Sequence, residues 1–335
     1  MTIREIALLC GYSTATVSKA LNGHTDIGEE TARFIRSKAS EFGYFPNAAA
    51  RALKTNRTNN LGILFIDEQR SGLTHEFFSA VLESFKSQAE KCGYDITFLS
   101  NRLGSRTLSY LEHCQYRGLD GVGIACVDFR DERVVELVKS EIPCVTIDHV
   151  FDDCSVILSD NVQGMRDLTD YVLGMGHTRV AFIHAENTAV TRKRIAGFTQ
   201  ACRAHGVDVP QEYLVESMYH DPKGSALATR KLLALPNPPT CILYPDDISF
   251  LGGMTELERQ GLKIPADISA TGYDGIALSQ LLRPRLTTLR QDSGELGAAA
   301  ARRLIKAIED PQTDFPDQTL IPGMLVPGQT VRSLL

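Results

Sequence analysis

From residue 61 to residue 271 the chain alternates short apolar runs with stretches of helical spacing. The runs are Leu61–Ile66, Ile96–Leu99, Val122–Val127, Cys144–Ile147, Val156–Leu158, Val180–Ile183, Thr240–Leu243 and Ile268–Thr271. Runs this short satisfy their backbones by lying side by side, with the intervening helices covering the faces, so the alternation predicts parallel sheets of the α/β class. In such sheets ligands bind beyond the carboxyl ends of the strands. With 335 residues the chain exceeds one ordinary core, and two or three compact units are expected.

The opening segment follows a different rule. Thr2-Ile3-Arg4-Glu5 has the form of a capping box that starts a first helix, ending near Cys10. Gly11 can take the left-handed conformation that ends a helix, and Ser13 can cap a second helix from Thr14 to Leu21. Ala7, Gly11 and Val17 supply a small residue at a helix crossing, a turn residue and a β-branched packer, the spacing of a helix-turn-helix. Glu29 and Glu30 suit the positive start of a third helix, with Phe34, Ile35 and Phe42 expected to close a small core. Further on, Asn47 can cap a short alanine-rich helix, Ala48 to Lys54.

Charge divides the chain at the same place. Residues 1–58 hold eight basic and five acidic side chains, a net of +3, while the whole chain carries −6, which leaves −9 on the remainder. A basic head on an acidic body concentrates attraction for phosphates in the head.

The opening TIREIALLCGYSTATVSKALNG and the later YFPNAAARALKTNRTNNLGIL closely resemble the head and hinge of the LacI/GalR family of bacterial transcription regulators. That resemblance implies that the helix from Thr14 to Leu21 enters the major groove of operator DNA. Thr14, Ala15, Ser18 and Lys19 then fall on the DNA side, and Ser13, Asn22 and Tyr44 at phosphate-contacting positions. It also implies a hinge helix formed in pairs on DNA. There Asn47, Ala50 and Lys54 flank Leu53, whose side chain wedges into a central minor-groove step and kinks the duplex.

The body resembles the same family, and through it the periplasmic sugar-binding fold. The landmarks are Asp120-Gly121, Asp160-Asn161, Gly176-His177, Arg194 to Phe198, Asp247 to Gly252, Gly272-Tyr273-Asp274 and Leu286 to Leu289. The implied fold is a helix-turn-helix head plus a two-lobed periplasmic-binding-protein-like α/β sensor. The expected divisions are a head at 1–46, a hinge and linker at 47–60, and a sensor at 61–335. Its N-lobe takes 61–160 and 290–319, and its C-lobe 161–289 and 320–335. Asp148, Arg194, Asp246, Asp274 and Gln291 fall at effector-contacting positions, with Phe78 and Tyr219 as flat walls from opposite lobes. Carboxylates and an arginine orient hydroxyls well, so a sugar or sugar-like effector is expected. Asp246 stands where many relatives have Asn, and the arginine that usually follows soon after the valine of Leu325-Val326-Pro327-Gly328 is missing, so no relative's effector is carried over.

The expected partners are double-stranded operator DNA, a second copy of the chain and a small effector, acting as inducer or corepressor. Paired heads suit a palindromic operator. A phosphoprotein corepressor, as in carbon-catabolite regulation, stays open as an alternative. An enzyme is disfavoured because no nucleophile elbow, phosphate loop or metal cluster is recognisable. A transport-type binding protein is disfavoured by the attached head. The eight cysteines form no CxxC pair, so no metal and no cofactor are expected. MTIREIALLC does not read as a secretory signal and no run of about 18 apolar residues occurs, so a cytoplasmic protein is expected.

Overall fold

The computed structural model describes residues 1–23, 26–45, 52, 57–66 and 72–335. Asn47, Ala50, Leu53 and Lys54, the hinge residues singled out above, lie outside them. The chain divides into two compact units, residues 1–60 and 61–335.

The first unit contains α1 (Ile3–Cys10), α2 (Thr14–Leu21) and α3 (Glu29–Glu41). The capping box forms, the Thr2 hydroxyl accepting from the Glu5 amide while the Thr2 amide donates to Glu5 Oε2 at 2.6 Å. Gly11 ends α1 with φ +72°, and Ser13 Oγ accepts from the Thr16 amide at 3.1 Å to start α2. Ile6, Ala7, Cys10, Val17, Ala20, Ala32, Ile35 and Ala39 form the core. Phe34 and Phe42, expected inside, are instead exposed. The buried stripe of α3 runs through Ala32, Ile35 and Ala39, which puts Phe34 off the stripe, while Phe42 already caps the helix end.

In the second unit a first lobe opens with β1 (Asn60–Phe65), α4 (Glu76–Lys91), β2 (Asp95–Phe98) and the hairpin β3 (Arg102–Leu103) and β4 (Arg106–Thr107). It continues with α5 (Tyr110–Arg117), β5 (Gly121–Ala125), α6 (Glu132–Val138), β6 (Cys144–Ile147) and β7 (Ser155–Ser159). The chain then builds a second lobe from α7 (Asn161–Gly174), β8 (Val180–His184), α8 (Ala189–Ala204), β9 (Leu214–Glu216) and α9 (Pro222–Leu233). There follow β10 (Cys241–Leu243), α10 (Asp247–Arg259), β11 (Ser269–Asp274), α11 (Ala277–Leu281) and β12 (Thr287–Arg290). Finally α12 (Ser293–Glu309) and β13 (Gln318–Ile321) return to the first lobe, and β14 (Met324–Val326) ends in the second.

Among the described residues each lobe has a six-stranded sheet, ordered β13-β7-β6-β5-β1-β2 in the first and β14-β12-β11-β10-β8-β9 in the second. β5, β6, β7 and β11 are buried along their whole length, as strands covered by helices on both faces must be. The first-lobe core joins Leu61, Phe85, Val145, Ala300 and Leu304, and the second-lobe core Met165, Phe182, Phe198, Tyr273 and Leu289.

A glycine at a helix crossing draws each lobe together. A β-carbon on Gly297 of α12 would overlap the Val81 carbonyl of α4, and one on Gly197 of α8 would overlap the Val162 carbonyl of α7. Close approach there justifies a residue that otherwise weakens a helix by roughly 0.5–1 kcal/mol.

The chain passes between lobes after β7, β12 and β13. The Asp160 amide donates to the Ile321 carbonyl at 2.8 Å, so the first and third passages touch. β13 stays in the first sheet to Ile321, past the crossing expected at 319. The passages place the carboxyl ends of β6, β7, β10, β11 and β12 around one interlobe cleft.

Candidate functional site

The head presents one exposed row. Ser13, Thr14, Ala15, Lys19 and Asn22 are exposed on or beside α2, with Ser18 partly covered. Val17 and Ala20 face inward, so the small core fixes which side of α2 is outward. Lys19 pairs with Asp26, and Asn22 Nδ2 donates to the Ser18 carbonyl at 2.8 Å. Tyr44 rests against the head core. Short polar side chains and one cation on a free helix face are the equipment for reading a groove beside phosphates.

In the body, Arg194 organises the cleft. It is 4% exposed, and its guanidinium lies 3.6 Å from the Tyr273 ring centre. Nε donates to Asn161 Oδ1 at 2.8 Å, Nη1 donates to the Pro245 carbonyl at 2.8 Å, and Nη2 lies 3.9 Å from Asp274 Oδ1. One side chain therefore ties together the start of α7, the end of β10 and the end of β11. Burial opposes its charge, but Tyr219, Tyr273, Asp274 and Asp148 outweigh that and raise its pKa.

Asp274 sits at φ +99°, and Oδ1 accepts from Gln291 Nε2 at 2.7 Å. Burial pushes its carboxyl up to about 6 although Arg194 pulls the other way. Across the cleft, Asp148 at φ +61° accepts from the Ser159 amide at 2.7 Å and from Ser159 Oγ at 3.2 Å. Burial raises its pKa as well, against those bonds and Arg194. Carboxylates in a partly dry cleft are strong acceptors of hydroxyl hydrogen bonds.

Asp246 lies beside Asp274, where its charge is felt. Its carboxylate caps α10, accepting from the Ser249 amide at 2.7 Å and Ser249 Oγ at 2.9 Å, and it holds the His220 amide at 2.9 Å. Asp247, next in the chain, is buried and fixes the turn after β11, accepting from the Ile276 amide and from Thr288 Oγ1.

Phe78 lies within the third residue of α4 and folds back on Phe65, Phe77 and His75. Tyr219 stays beside Arg194, with its hydroxyl 3.1 Å from Thr191 Oγ1. The pair that meets face to face across the lobes is His75 and His220, with ring centres 3.7 Å apart and planes at 30°. Sequence reasoning missed both. His75 caps α4 through Nδ1, and His220 holds φ +52°, neither of which a periodicity reports.

Among the described residues no group of three or more His, Cys, Asp or Glu side chains is placed to hold a metal ion, and no helix is long and apolar enough to cross a membrane.

Residues 2–47 match the family model described as bacterial regulatory proteins, lacI family, and residues 169–331 match the periplasmic binding protein-like domain. The chain is 31% identical to the HTH-type transcriptional repressor PurR of Vibrio campbellii (strain ATCC BAA-1116), over 99% of each chain. Two solved structures share the fold. The Lac repressor dimer bound to operator and the anti-inducer ONPF superposes with a TM-score of 0.78 at 23% identity, covering 99% of both chains. The transcriptional regulator CelR–cellobiose complex gives 0.71 at 21% identity, covering 98% of this chain and 99% of that one.

Proposed function

This chain belongs to the lacI family of bacterial regulatory proteins, and from that premise we propose that it represses transcription by binding operator DNA as a homodimer under control of a small polar effector. The observation that carries the reading is one chain joining two devices. A capped helix with a polar outer row stands on the head, and a charged cleft between two α/β lobes stands in the body.

Ser13, Thr14, Ala15, Ser18, Lys19, Asn22 and Tyr44 meet the duplex, with Asn47, Ala50, Leu53 and Lys54 completing the contact in the minor groove. Paired heads read two half-sites of a palindrome. Asp148, Arg194, Asp274 and Gln291 hold the effector, which is a sugar or sugar-like molecule. Phe78 and Tyr219 back the site from behind His75 and Arg194, and Asp246 acts on it through His220. The effector changes the angle between the lobes because it binds one arrangement better, and that difference alone sets the size of the response. The protein works in the cytoplasm, by binding and not by turnover.

The test is operator selection from a randomised duplex library with the full-length protein, repeated with effector found by a thermal-shift screen of sugars and nucleosides. A palindromic winner whose occupancy responds to the effector supports the reading. Retention of all duplexes alike in both states overturns it.

A further inference from the structure

Two imidazoles meet across the cleft. His75, at the start of α4 in the first lobe, and His220, just before α9 in the second, stack with ring centres 3.7 Å apart. Beside them Glu76 Oε1 accepts from the Ala277 amide across the lobes at 2.7 Å, and Ile276 and Leu278 pack on the first-lobe core. The stack therefore belongs to a contact that exists only while the lobes keep this arrangement.

The two rings have opposite surroundings. His220 stands at φ +52°, its amide donates to Asp246 Oδ2 at 2.9 Å, and its charge acts on Asp274. Its Nε2 is buried without a partner among the described residues. The other charged groups nearby are Asp221, which caps α9, Glu186, which accepts from the Tyr219 amide, and Arg194, over the Tyr219 ring. A proton on His220 thus has two carboxylates to face. His75 is 6% exposed, and its Nδ1 caps α4 by accepting from the Phe78 amide at 3.4 Å, a role that only an unprotonated nitrogen can fill. A proton there cancels the cap, sets a cation at the positive end of a helix and turns it against any charge on His220. Glu76, the acid beside it on α4, is committed to Ala277.

We propose that the His75–His220 stack is a proton-sensitive clasp, which holds the lobes in this arrangement while no more than one ring is charged and lets them part when both are. Acid thereby presets the lobe angle, and the consequence for DNA binding rests on the reading of that angle as the signal. Histidine is the side chain suited to such a device, since its charge changes near neutral pH.

The experiment is hydrogen exchange of the full-length protein at about pH 8 and about pH 5, without ligand or DNA. Ala277 reports on the clasp, because its amide bond spans the lobes. His75→Asn keeps a capping oxygen for α4 and His220→Asn tolerates the left-handed backbone, so each removes a ring and its charge and little else. At the higher pH each variant exchanges in segment 277–281 roughly 2- to 10-fold faster than the parent, the worth of one aromatic pair, with α7 unchanged. The double variant is no faster than either single, because one contact is lost only once. At the lower pH the parent has opened too, and the ratio of variant to parent falls to one or below. A ratio equal at both pH values, variants without effect at the higher pH, effects that add in the double variant, or a change that spreads to α7 overturns the inference. Operator selection on the same preparation keeps the two failures apart. Selection without a clasp sinks the proton rule alone, whereas a clasp without selection sinks the regulator reading and leaves the clasp standing.

Discussion

Asp274 holds its proton in the folded chain up to about pH 6, against an ordinary value of 3.8, because burial penalises its charge more than Arg194 favours it. Between those values the folded state binds more protons than the unfolded one, so this group makes stability fall as pH rises from about 4 to about 6. Above that window the charge costs up to ~3 kcal/mol. Asp274→Asn is expected to flatten this part of the pH–stability curve and raise the melting temperature at pH 7, while the effector response is lost. Chemical denaturation at pH 4, 5, 6 and 7 measures it, and a variant as pH-dependent as the parent contradicts it. Arg194→Ala should do the opposite. It strands Asp274 without its cation and Asn161 and Pro245 without their donor, a loss of roughly 3 kcal/mol or more. Thermal unfolding reads that loss, and Arg194→Lys should recover only part of it, because an ammonium cannot make the three directed contacts of a guanidinium.

Among the elements, α2 depends on its cap. Ser13 Oγ is the acceptor for the Thr16 amide at the start of an eight-residue helix, too short to be stable on its own. Ser13→Ala is expected to cost the head about 1 kcal/mol, seen as faster amide exchange in α2 with α12 unchanged; equal protection in both proteins would contradict it. The elements also show what the sequence could carry. Fully buried strands such as β5 and β7 announce themselves as apolar runs. β9, β13 and β14 are less plain, because as short edge strands they are mostly half-buried or exposed and borrow their order from neighbours already in place. Gly197 was visible as a landmark, but its reason is the close crossing of α7 and α8, a tertiary fact. The cleft was legible in part for the same cause. Asp274 and Gln291 converge because the ends of β11 and β12 are neighbours in one sheet, and Arg194 reaches them from α8. The His75–His220 stack joins two lobes, and no local pattern links residues brought together only by closure.

At the scale of the whole molecule, three passages between the lobes gather the strand ends of the body at one joint. The ends of β7, β12 and β13 are also where Asp160, Gln291 and Ile321 lie. A ligand held as proposed, between Asp148 on one side and Asp274 on the other, bridges that joint. The head contributes the basic, polar row, and the acidic remainder of the chain keeps non-specific attraction to DNA low. The measurement that bears most directly on this account is fluorescence anisotropy of the full-length protein on its selected operator and on random duplex, at fixed salt, with and without the effector. The account predicts at least a thousandfold preference for the operator in one ligand state and a change of roughly 5- to 150-fold on adding effector. Equal affinity for both duplexes in both ligand states would contradict it.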